Sequence, residues 1–157
     1  MDTMRTEDQG VLVDRGSGVR VAFSLNPVSF QDGKTTELAS IGVPGMSHPK
    51  VQFTGGGERV LGFSISLHYG ADKDVEGTIR TLQSWQYPEY SGTRLTKPPA
   101  RLLLIFGQTW PNEQWAMRSC TVTRRRFDKT LKCVGAEVAL ELVQIITTSI
   151  DAREVRA

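Results

Sequence analysis

The sequence predicts a mainly β fold with one flanking helix, an α+β arrangement. Two observations carry the strands. Leu61, Phe63, Ile65, Leu67 and Tyr69 alternate with Gly62, Ser64, Ser66 and His68, so one face is apolar and the other small and polar. Late in the chain Val134, Ala136, Val138, Leu140 and Leu142 oppose Glu137 and Glu141 in the same period of two. A third observation carries the helix: Val75, Ile79, Leu82 and Trp85 recur at helical spacing behind Asp74, a good N-cap residue, and Pro88 closes the segment.

Val21, Phe23 and Leu25 alternate up to Asn26-Pro27 and predict a half-buried first strand, preceded by an N-terminal arm over residues 1–19. Thr35 to Val43 is strand-compatible and ends at the breakers Pro44-Gly45 and Pro49, where the chain is expected to cross an edge or bend. Gly55-Gly56-Gly57 lies between two strand-like arms, Val51 to Thr54 and Arg59 to Tyr69, and predicts a tight hairpin turn, because glycine adopts positive φ without steric penalty. Pro98-Pro99 ends a polar linker and launches Arg101 to Phe106, an apolar run that reads as a central buried strand, and Gly107 opens a turn. Between Glu113 and Arg125 the apolar phase moves from Trp115 and Met117 to Cys120 and Val122, which predicts a bulge at Arg118 or Ser119. Residues 147–157 carry too little apolar surface for a core of their own and are expected to be a tail, frayed or ordered by a partner.

The 157 residues suffice for one domain with a real core, taken as 20–146. The longest apolar run, Leu102 to Phe106, is far below the roughly 18 residues of a membrane span, and the acidic, polar start lacks the basic-then-apolar order of a secretory leader. Cys120 and Cys133 are too few for a disulfide framework and lack partners for structural zinc, so two buried free thiols are expected. No catalytic, cofactor-binding or metal site is nominated, and no enzyme activity is expected. His48 and His68 stand in no ligand-spaced cluster, and Ser47-His48 lacks a nucleophile elbow. Glu58-Arg59 and a strand follow the three glycines where a phosphate loop would have a helix. Capping and the helix dipole already account for Asp72, Asp74 and Glu76.

A net charge of +2 hides one concentration: Arg118, Arg124, Arg125, Arg126, Lys129 and Lys132 stand against Asp128 alone between positions 118 and 132. Clustered cations attract phosphate. Nucleic-acid readers interleave such charge with exposed aromatics, whereas only Phe127 accompanies this run. A solvated hairpin tip or a salt-bridged subunit contact is therefore favoured over a β-barrel module for single-stranded nucleic acid.

Several separated motifs occur in an order with a family precedent. FSLNP (Phe23 to Pro27), VPGMSHPKVQFTGGGERVLGFSISL (Val43 to Leu67), KPPARLLLIFG (Lys97 to Gly107), the Trp115 strand and AEVALEL (Ala136 to Leu142) together resemble the N-terminal domain of contractile injection system tube proteins, also found in phage baseplates. Asn26, Pro27, Pro44, Gly45, His48, Pro49, Gly55, Gly56, Gly57, Arg59, Pro98, Pro99, Gly107 and Trp115 are the motif positions. The resemblance implies a tail-tube-like antiparallel β-sandwich or small barrel flanked by a helix. It implies a homo-hexameric ring that initiates or caps the tail tube of a contractile phage tail and joins it to the baseplate hub. The implied partners are the tail tube protein, the hub and neighbouring baseplate or sheath proteins, with passing contact to DNA in the lumen and no cofactor. The implied location is the virion tail or baseplate, after assembly in the host bacterial cytoplasm. An adaptor in a bacterial contractile injection system is the alternative. Longer members continue into a LysM-type module, and the short tail here favours a compact ring subunit. The turn DKTLKCVG (Asp128 to Gly135) departs from the family's more usual Asp-Gly turn with a downstream Pro.

Overall fold

In a computed structural model of the chain, the described residues are 9–68, 74–146, 150 and 152–156. Tyr69, Asp72 and residues 1–8 of the expected arm lie outside them. The elements are β1 (Val11–Asp14), β2 (Arg20–Ala22), β3 (Phe30–Ile41), β4 (Lys50–His68), α1 (Val75–Ser84), β5 (Glu89–Ser91), β6 (Arg94–Lys97), β7 (Leu102–Ile105), β8 (Gln114–Phe127), β9 (Cys133–Ile145) and α2 (Ala152–Arg156). Seven strands form one antiparallel sheet in the order β2-β1-β7-β8-β9-β4-β3, and β5 and β6 make a separate small hairpin. The protein is thus mainly β with flanking helix, as its alternating patterns predict.

The two layers of a sandwich are here two halves of one ladder. They are joined where Leu102 of β7 pairs with Trp115 of β8. The sheet curls until its ends face each other. Phe23, just after β2, lies 5.7 Å from Phe63 of β4 between ring centroids, and Phe30 of β3 lies 4.8 Å from both Phe106 and Trp110. The core fills the concavity with Leu12, Phe23, Leu61, Ile65, Leu67, Leu102, Trp115, Val138 and Leu142. Over the open side lies α1, against β9 and β8, with Val75, Ile79, Leu82 and Trp85 buried on one stripe. Asp74 caps it by accepting a hydrogen bond from the Gly77 N–H at 3.0 Å. Asp74→Ala is expected to lower stability by about 1 kcal/mol, measured by urea unfolding, with the fold retained.

Several expectations need correction. Within the expected arm, residues 11–14 belong to the sheet: β1 pairs on both sides, with β2 and β7, and Leu12 is fully buried. The first expected strand shortens to β2, because Leu25 turns out to solvent ahead of Asn26-Pro27. Arm and domain meet through Asn26, whose side-chain oxygen accepts from the Gly10 N–H at 2.9 Å.

The largest correction concerns Gly55, Gly56 and Gly57. They are not a turn but the middle of β4, a single 19-residue strand. The reversal occurs earlier, at residues 42–49 between β3 and β4, where Gly45 adopts φ 84° and the Met46 N–H donates to the Val43 carbonyl. The glycines serve bulges instead. Across the ladder Lys34 faces Arg59 but Thr36 faces Gly56, and Glu37 faces Gly55 but Leu38 faces Phe53, so β4 carries an extra residue twice. A side chain at Gly57 would put its Cβ 2.7 Å from the Thr35 carbonyl oxygen. Gly57→Ala is therefore expected to loosen pairing of β3 with the first half of β4 while leaving the core intact. Faster amide exchange at residues 34–41 and 50–56, with an unchanged melting temperature, is the result that checks this.

The bulge predicted in β8 is present. Met117 pairs with Leu142 and Ser119 with Glu141, leaving Arg118 as the extra residue, and Cys120 and Val122 then turn toward the core.

Candidate interaction surface

From Val60 to Phe63 β4 is paired on both sides, with β3 and with β9, and from Ser64 to His68 it pairs with β9; its pairing with β9 begins at Val60. Before that point β3 and β4 have only each other. Residues 34–41 and 50–59, with the turn between, form a two-stranded arm about 25 Å long at a strand rise of about 3.3 Å per residue. Pro44, Gly45, His48 and Pro49 are all exposed at its tip. An isolated two-stranded hairpin is marginal in water. This one also exposes Leu38 (58%) and Phe53 (70%), which pair directly, and Val51, Ile41 and Met46 nearby.

At the base of the arm a polar hub fixes its exit. The Arg59 guanidinium from β4 donates to both carboxylate oxygens of Asp32 in β3, at 2.9 and 2.7 Å, and to Glu113 Oε1 at 2.9 Å. Trp110 Nε1 donates to Asp32 Oδ2 at 3.1 Å, and the guanidinium lies 5.6 Å from the centre of the buried Trp115 ring. Hydrogen bonds from Arg59 and Trp110, with the Arg59 charge, hold the Asp32 carboxyl below the usual carboxylate range against the opposing effect of burial. The hydrogen bond to Asp32 first, and then that to Glu113, raise Arg59 further above its ordinary value. Arg59 and Trp115 were motif positions in the sequence; Asp32, Trp110 and Glu113 were not. They lie 27, 51 and 54 residues from Arg59, a separation at which no local pattern speaks, although a lone Asp in a β-strand is a usable signal.

The basic run divides in two. Arg118, aimed outward by its bulge, bonds Glu58 and Glu141; Arg124 bonds Glu76 of α1 at 2.9 Å; Arg125 bonds Glu137 at 2.7 Å. Arg124 in turn keeps the Glu76 carboxyl below its ordinary range. Arg126, Lys129 and Lys132 remain without a carboxylate partner among the described residues and surround the β8–β9 turn.

A third surface is the outer face of β4, β9 and β8. Gly62, Glu141 and Ser119 stand in one row, Ser64, Ala139 and Thr121 in the next, and Ser66, Glu137 and Thr123 in a third. The face is small and polar, with a shallow depression of about 470 Å³ along it.

The other motif residues have structural placements. Gly107 turns the chain after β7 with φ 58°, and Pro98 and Pro99 edge an open groove beside α1. The β8–β9 hairpin does join the strands of Cys120 and Cys133, but Cys120 faces Leu140 and Cys133 faces Phe127, so the thiols are not opposite one another. Both are free, Cys133 buried and Cys120 partly so, and burial pushes the Cys120 thiol up. Among the described residues no three His, Cys, Asp or Glu side chains gather as a metal-ligand set, and no helix is long and apolar enough to cross a membrane.

What these features define is a β-rich α+β protein with an extended apolar arm, open sheet edges and a basic turn. No protein-family model and no curated protein matches the chain.

Proposed function

We propose that the chain is a non-enzymatic structural subunit of a contractile phage tail. Six copies form a ring that initiates or caps the tail tube and connects it to the baseplate hub. The observation that carries this reading is the arm: a lone hairpin with exposed Leu38, Val51 and Phe53 reaches its full stability only when another surface covers it. The ladder also ends in two open edges, β2 and β3, and an unpaired edge strand is a template for a neighbouring copy. In a ring, the rows Ser64-Ala139-Thr121 and Ser66-Glu137-Thr123 would give a wet, non-adhesive lumen wall. The motif order that resembles tube proteins supplies the particular machine. A baseplate or sheath adaptor in a bacterial contractile injection system uses the same surfaces and is the alternative.

A single-stranded nucleic-acid module is less well supported, since Arg118, Arg124 and Arg125 are engaged by Glu58, Glu141, Glu76 and Glu137. The test is electron microscopy of the chain alone and with purified tube and hub proteins. Six-fold rings at one end of the tube are expected; a monomer at high concentration that joins neither protein overturns the reading.

A further inference from the structure

The turn between β8 and β9 has features that neither hairpin closure nor the ring explains. Asp128 organises it. Its Oδ1 accepts from the Thr130 N–H at 2.8 Å, the Thr130 hydroxyl at 2.7 Å and the Lys132 N–H at 3.0 Å. These bonds, the Thr130 hydroxyl first among them, hold the Asp128 carboxyl below its usual range. Its own N–H donates to the Lys132 carbonyl, and the Leu131 N–H donates to the Asp128 carbonyl. The turn is therefore set before any partner arrives.

Within this turn Leu131 adopts φ 64°, a left-handed conformation that costs an ordinary L-residue about 1 kcal/mol or more and that glycine or asparagine would take more easily. The hydrogen bonds to Asp128 hold that backbone, but the Leu131 side chain gains no burial in return, since it is 81% exposed. Phe127 beside it is 54% exposed. Next to these two apolar side chains in the chain stand Arg126, Lys129 and Lys132, the three cations of the basic run that make no ion pair among the described residues, although the Lys132 charge acts on the Asp128 carboxylate. The outcome is an apolar tip whose neighbours carry three positive charges against the one carboxylate of Asp128.

We infer that this turn is a membrane-surface contact, placing Leu131 and Phe127 at the acyl boundary of an anionic bilayer while Arg126, Lys129 and Lys132 meet lipid phosphates. Three considerations select this partner. A nucleic acid would use the cations but not the leucine, and one phenylalanine is not a stacking platform. A protein partner would ordinarily need about 800 Å² from each side, which a convex five-residue turn, 128–132, does not present. A bilayer needs neither area nor a matching cavity. It accepts one or two apolar side chains and adds about 1 kcal/mol for each nearby Lys or Arg.

Vesicle co-sedimentation with the full chain tests the inference. Vesicles of phosphatidylcholine with about one-third phosphatidylglycerol are compared with phosphatidylcholine alone, on the scale of charge effects expected for such surfaces. The protein should bind the anionic vesicles at low salt and leave the neutral ones. Lys129→Gln with Lys132→Gln should weaken binding about thirtyfold. Leu131→Asn should weaken it about tenfold while relieving the left-handed backbone, so a loss of binding cannot come from misfolding. Phe127→Trp should add a blue-shifted emission component when anionic vesicles are mixed in. Absence of binding, or equal binding to neutral vesicles, overturns the inference. Unchanged binding by Leu131→Asn with no emission shift also overturns it, leaving adsorption by charge alone. If these variants instead disrupt ring or hub association while vesicles are ignored, the partner is an acidic protein surface and the membrane assignment fails. Because the vesicle experiment does not require a ring, its failure leaves the tail-subunit proposal standing.

Discussion

Arg59→Leu is expected to destabilise the protein by about 3 kcal/mol at neutral pH, a fall in melting temperature of roughly 10 °C. The substitution leaves two carboxylates, Asp32 and Glu113, facing each other's former partner with side chains only about a quarter to a third exposed. It also removes the cation from the Trp115 face. The pH dependence has a definite sign. Asp32 is held below the ordinary carboxylate range in the folded protein, chiefly by the Arg59 hydrogen bond, so its contribution is fully present above that range and is lost as pH falls through its folded value. In Arg59→Leu burial acts on Asp32 without that counterweight, and the acid-side loss shrinks. Urea unfolding from neutral to acid pH should show the two proteins converging. Arg59→Lys should be intermediate, because an ammonium keeps the charge but cannot span both oxygens of Asp32 and Glu113 together. Parallel curves for the parent and Arg59→Leu would show that the hub contributes nothing specific.

The combined change Leu38→Ser and Phe53→Ser should leave the melting temperature nearly unchanged and weaken self-association or docking to the tube by about a hundredfold. Both side chains are largely exposed and stand outside the core cluster, so folding gains little from them. Analytical ultracentrifugation, beside a thermal melt, separates the two effects. An arm variant that assembles like the parent would remove the observation on which the proposed function rests.

Where the fold was legible in the sequence, the signal was periodic and long. The Leu61, Phe63, Ile65, Leu67 row, the α1 stripe and the phase change at Arg118 each appear as expected, because burial on one face leaves a repeating mark. The three glycines misled for a physical reason: a tight turn and a bulge draw on the same freedom of φ and the same need for a missing Cβ, and only the partner strand distinguishes them. β1 was missed because four residues, VLVD, carry too short a pattern, and their pairing with β7 spans most of the chain. The basic run was visible as charge. Its division was not, since Glu58, Glu76, Glu137 and Glu141 reach it from other elements.

The two bulges in β4 have a mechanical meaning. The arm is a cantilever, clamped where Arg59 grips Asp32 and Glu113, and its weakest cross-section lies immediately outside the clamp, at residues 53–59 where the ladder is interrupted twice and glycine supplies no side-chain packing. A force applied near Pro44 or His48 therefore bends the beam at that section and is dissipated before it reaches the aromatic core.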